Sequence, residues 1–98
     1  MGRDTDRLIS TLSAFMRRKF EINVDKPHWD DEEYGQLIVG MYAEVQEFLV
    51  ELGSPDATPE SIWNEAADIA NYCSMIADVA GKRKRKEELC QIQVEQRS

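Results

Sequence analysis

Cysteine, imidazole and long apolar runs are all scarce in this 98-residue chain, and each scarcity removes a class of function. The two cysteines, Cys73 and Cys90, form neither a CxxC nor a Cys/His spacing, so no zinc or dithiol motif is present. A disulfide between them is not expected in a reducing compartment, and Cys73 falls on an apolar helical stripe where a buried thiol is expected. The one histidine, His28, leaves a His-based triad or an ExxH dimetal site little to build with. It reads instead as a loop residue, with a place at a pocket rim as the lesser alternative. No apolar run approaches the roughly 20 residues that span a bilayer, and the opening MGRDTDRL does not resemble a signal peptide, so a cytoplasmic chain with no membrane partner is expected.

What the chain does contain is charge, distributed unevenly. The formal net charge is −7. Residues 1–81 hold sixteen acidic and six basic side chains, a net −10, whereas residues 82–98 hold three and six, a net +3. An acidic body repels nucleic acid and free phosphates, so nucleic acid is not an expected partner and any phosphate ester requires a divalent cation as mediator. With 42% hydrophobic and 32% charged residues the chain reads as one folded domain over 1–98. At this length a lone protomer buries only about 60–65% of its unfolded surface.

The apolar periodicity predicts an all-α fold of three to four helices. The first runs from about Thr5 to Phe20 behind an Asp4 or Thr5 cap, burying Leu8, Leu12, Phe15, Met16 and Phe20. Residues 21–30 break the pattern around Pro27. A second helix is expected from about Asp31 to Leu52, with a core stripe of Tyr34, Leu37, Ile38, Met41, Val45, Phe48, Leu49 and Leu52. Gly53 ends it, and the third helix opens with Thr58 as cap and Pro59 in the first turn. That helix carries Ile62, Ala66, Ile69, Cys73, Ile76 and Ala80 and is expected to stop at Gly81, with a short basic fourth helix or tail from Lys82 to about Gln96. Trp63, Ala70 and Ala77 continue along an adjoining face of the third helix and also need cover. The elements of one protomer are too few for both surfaces, so a homodimer or homotetramer completing a helical bundle is expected.

Glu44 and Glu47 stand three apart on the second helix, and Glu65 and Asp68 repeat that spacing on the third. Residues three apart leave a helix on one side. The turn between the two helices is short, which makes them antiparallel neighbours and lets both acidic pairs face one groove. Glutamates on helices are usually solvated surface. Four converging on one groove are costly, because two carboxylates about 5 Å apart repel by roughly 3 kcal/mol at an effective dielectric near 20. Mg²⁺ would relieve this, being a hard ion that takes oxygen ligands and bridges to phosphates.

The stretches AEVQEFLVEL and NEAADIANYCSMIAD, with Glu44-x-x-Glu47 followed by Glu65-x-x-Asp68 and seventeen residues between, resemble the MazG-like all-α nucleoside triphosphate pyrophosphohydrolase superfamily over about residues 26–81. The resemblance implies hydrolysis of (deoxy)nucleoside triphosphates to the monophosphate and pyrophosphate, by dimers or tetramers of helical subunits. It implies Mg²⁺, with Mn²⁺ as a substitute, held by Glu44, Glu47, Glu65 and Asp68, one of which, Glu44 by preference, orients or deprotonates the attacking water. Some members carry a further Glu just before the first motif where this chain has Ala43, which leaves the number of ions and the identity of the base open. By the same resemblance Trp29 and Tyr72 are candidate base-contacting aromatics, against a plain reading as core or rim packing.

Asn71, one turn beyond Asp68, could bond a phosphate or a metal-bound water, and Lys26 could meet a phosphate. Trp63 reads as core or dimer interface. The run Lys82 to Lys86 is a solvated helix start or a basic flap over the acidic groove. Two other classes stay open at this stage: a helical interaction module using its acidic face, and a nucleotide or metal sensor that binds without turnover.

Overall fold

The computed structural model describes residues 2–22 and 34–97. Within these it is all-helical: α1 (Arg3–Ile22), α2 (Tyr34–Leu52) and α3 (Pro59–Arg97). Asp4 and Asp6 in the first turn of α1 and Lys19 in its last turn complement the helix dipole at both ends. The inner face of α1 runs Leu12, Phe15, Met16 and Lys19, all half-buried, whereas Leu8 and Phe20, expected inside, are exposed.

The joint between α2 and α3 shows how local chemistry sets the topology. The Gly53 N–H donates back to the carbonyls of Leu49 and Val50, and Gly53 closes α2 without a left-handed conformation. Ser54 then accepts from the Asp56 N–H through its hydroxyl, folding the turn. Thr58 and Ser61 cap each other: the Ser61 N–H donates to Thr58 Oγ1 at 3.0 Å and the Thr58 N–H donates to Ser61 Oγ at 2.9 Å. This is a capping box with serine in the position usually held by Glu or Gln. So short a turn returns α3 antiparallel along α2. Ser61 meets Glu51, Tyr72 meets Gly40, Cys73 meets Met41 and Arg83 lies over Tyr34, all in one register.

α3 does not stop at Gly81. It continues to Arg97 as one helix of 39 residues, about 58 Å long at 1.5 Å per residue. The expected fourth helix is therefore the second half of the third. Gly81 keeps a right-handed conformation, and the Lys82–Asp78 ion pair at 3.1 Å spans it one turn apart. The sequence beyond it is rich in Lys, Arg, Glu and Gln, all good helix formers. Residues 81–95 are exposed throughout, so the molecule has a projecting arm. Its radius of gyration, 17.7 Å, exceeds the roughly 13 Å of a compact chain this size.

α3 is packed by both α1 and α2, and this decides where its core line falls. Its most buried residues are Ala67, Asn71 and Val79, joined by Leu37 of α2. At about 100° per residue that line is turned away from the predicted stripe. Ile62, Ala66, Ile69, Ile76 and Ala80 are consequently only half-buried, and Cys73, expected as a buried thiol, is exposed. Both cysteines are free. Leu49 and Leu52 of the predicted α2 stripe are exposed as well. Trp63 stacks on Phe15 of α1, with ring centroids 6.0 Å apart and planes 15° from parallel, so it packs within its own protomer.

Candidate metal centre

The contact line between α2 and α3 is polar at its middle. On α2 the residues that meet α3 recur at alternating steps of four and three: Gly40, Glu44, Glu47 and Glu51. On α3 the opposing line is Ser61, Glu65, Asp68 and Tyr72. Its upper end is closed by a hydrogen bond from Ser61 Oγ to Glu51 Oε1 at 2.6 Å. Its lower end is closed by the Tyr72 ring lying on Gly40. A Cβ at Gly40 would stand 2.5 Å from Tyr72 Cε1, so only glycine permits that approach. Between these ends sit the four acids singled out by spacing.

Glu44, Glu47 and Glu65 each offer a carboxylate oxygen within 4.8 Å of the others. Oε2 of Glu44 and Oε2 of Glu65 are buried with no hydrogen-bond partner. Orphaned, buried carboxylate oxygens are costly unless something cationic or protonated meets them. The Glu44 carboxyl responds by rising to about 7, chiefly because it is desolvated, then through a hydrogen bond with Glu47 and the negative charges of Asp68, Glu47 and Glu65. Glu65 is also raised, first by burial and then by Asp68 and Glu47, with Lys19 acting in the opposite sense. Three hard oxygen donors, two of them orphaned, fit a divalent cation that prefers oxygen and keeps some of its waters.

Asp68 is not one of the three that converge within 4.8 Å, although its charge acts on both Glu44 and Glu65. Its Oδ2 is paired with Lys19 Nζ at 3.3 Å, both side chains being about three-quarters covered. Lys19 reaches in from α1, so the groove has a third wall. Sequence reasoning passed over this lysine, although its position was legible. It continues the Leu12, Phe15, Met16 face by one further turn, and a cation on the inner face of an amphipathic helix needs a buried partner.

Asn71 is 6% exposed; its Nδ2 donates to the Met16 carbonyl at 3.3 Å, while its buried Oδ1 has no partner. Its first role is thus to tie α3 to α1. Tyr72 is half-buried against Gly40. Lys26, His28 and Trp29 lie outside the described residues. The basic run begins at Lys82, fourteen residues and about 21 Å of helix beyond Asp68. On one continuous α3 it points away from its own acidic groove, so a flap folding back over that groove is not what the protomer presents. No described helix is long and apolar enough to cross a membrane. In comparisons with known proteins, no family model, no curated protein and no solved structure matches this chain.

Proposed function

We propose that the chain is a Mg²⁺-dependent hydrolase that cleaves nucleoside triphosphates to the monophosphate and pyrophosphate, with Glu44, Glu47, Glu65 and Asp68 as its acidic centre. The observation that carries this reading is the trio of carboxylates within 4.8 Å, two with buried orphan oxygens, in a helical hairpin. The resemblance of the paired motifs to the MazG-like superfamily supplies the reaction. Glu44, Glu47, Glu65 and Asp68 would hold the ion, and Mn²⁺ could stand in for Mg²⁺. When bound, the ion neutralises the triphosphate and lowers the charge that an acidic body would otherwise turn against it.

The chain's own contribution is positioning and proton transfer. Glu44 is the preferred base by the resemblance, orienting the attacking water or accepting its proton. Asn71 fixes α1 against α3 beneath the groove and so holds the acids in register. Tyr72, whose ring lies on Gly40, is carried as a base contact by the resemblance, as are Trp29 and Lys26 as base and phosphate contacts.

The active unit is proposed to be a homodimer or a homotetramer. The half-buried stripe Ile62, Ala66, Ile69, Ile76 of α3, together with exposed Leu49 of α2, is apolar surface that three helices leave open. The reading is tested by incubating the chain with Mg²⁺ and a panel of dCTP, dUTP, dATP, dGTP, dTTP and their ribo forms. Pyrophosphate released from at least one is the expected result. Binding without release would make the protein a sensor, and neither would leave the acidic face as an interaction surface.

A further inference from the structure

We infer that Lys19 is a built-in counter-cation of the acidic groove, holding Asp68 when no divalent ion is present and yielding it when one enters. The inference rests on the metal reading above and assigns that site a regulator of its affinity. Three observations carry it. Lys19 is the α1 residue that brings an ammonium to the groove, with Nζ 3.3 Å from Asp68 Oδ2. The position is imposed by the fold, because Lys19 lies on the same inner face as Leu12, Phe15 and Met16, and the Met16 carbonyl is clamped by Asn71. Finally, the ion pair divides the four acids: Glu44, Glu47 and Glu65 converge within 4.8 Å, and Asp68, the fourth member of the two motifs, is turned to the lysine.

A single ammonium and a divalent cation compete for the same negative charge. The ion pair takes Oδ2 of Asp68 and cancels part of the negative charge the groove offers, so an entering ion competes with Lys19 for that carboxylate. Lys19 thereby weakens metal binding while steadying the metal-free protein. A merely structural lysine would have the opposite signature, since loosening the groove would lower metal affinity.

The test compares wild type, Lys19→Met, Lys19→Arg and, as an exposed-cation control, Arg18→Met. Arg18 pairs at 3.0 Å with Glu60 and both side chains are largely exposed. Mg²⁺ and Mn²⁺ binding is measured by calorimetry, and melting temperature is measured in EDTA. Lys19→Met is expected to bind either ion at least threefold more tightly and to melt lower in EDTA. Lys19→Arg should stay within about twofold of wild type, as should Arg18→Met. Equal or weaker binding by Lys19→Met, with wild type binding normally, overturns this inference and leaves the metal reading standing. No binding by any of the four overturns the metal reading and this inference with it. If Lys19→Met does not fold, Lys19→Gln, which keeps the length and polarity of the side chain, decides by the same affinities.

Discussion

At the scale of single residues, the acids of the groove carry the pH dependence. The Glu44 carboxyl is held at about 7 in the folded protein, against 4.5 for an ordinary glutamate. The unfolded chain therefore binds fewer protons than the folded one between these values, and folding is favoured at the acid end of the window. As pH rises through 7, Glu44 ionises beside Glu47, Glu65 and Asp68 and that advantage is lost. The metal-free protein is thus expected to melt several degrees higher at pH 5.5 than at pH 8, and Glu44→Gln should remove most of that difference. Circular dichroism melts of both proteins in EDTA check this, and an equal slope in the two would show that Glu44 is not the group responsible. That Glu44, Glu47 and Glu65 would meet across the hairpin was legible from their spacing and the short turn. What spacing could not reveal was that Asp68 faces a lysine more than forty residues earlier, because that pairing depends on how α1 packs.

Elements raise a different question, namely where helices end and which side they bury. A glycine followed by basic residues reads as a stop, yet Gly81 is interior to α3. Gly53 ends α2 because turn hydrogen bonds capture the chain after it, whereas Gly81 has no positive φ and no such turn follows it. Nothing lies within 4 Å of a Cβ built there, so alanine fits freely. Gly81→Ala is expected to stabilise the helix by about 0.5–1 kcal/mol and to raise protection of the arm's amides in hydrogen exchange. Loss of stability would mean that the helix breaks at this point in solution. Thr58 and Gly53, by contrast, were correctly read as boundaries because their signals are local: a side-chain cap and a turn. The buried line of α3 was misplaced for the opposite reason. A single apolar stripe is the signature of a helix packed on one side, and α3 is packed by two helices whose combined contact falls on Ala67, Asn71 and Val79.

The whole molecule is long, 64 × 34 × 25 Å, and its core is thin. Leucine and valine side chains such as Leu49, 62% exposed, and Val50, 74% exposed, lie in the open on α2. Surface of this kind is where a second protomer would be received. Leu49→Glu is expected to leave the hairpin folded, since the side chain is already in solvent, and to shift the protein toward a species of about 11.3 kDa with weaker pyrophosphate release. Sedimentation velocity at micromolar concentration reads this directly. A wild type that already sediments at that mass and is fully active would end the dimer reading. Trp63→Glu is the poorer probe, because Trp63 stacks on Phe15 and its loss would disturb the protomer itself.

The most direct measurement on the proposed chemistry is Mg²⁺-dependent pyrophosphate release by wild type and Glu47→Ala side by side, across the nucleotide panel. Glu47 is exposed yet lies within 4.8 Å of Glu44 and Glu65, so its removal spares the fold and opens the carboxylate trio. Wild type is expected to release pyrophosphate only with Mg²⁺ or Mn²⁺ present, and Glu47→Ala to lose at least a hundredfold in rate while keeping its helical circular dichroism. Equal rates in the two proteins, or release that persists in EDTA, would contradict an active centre built on these acids.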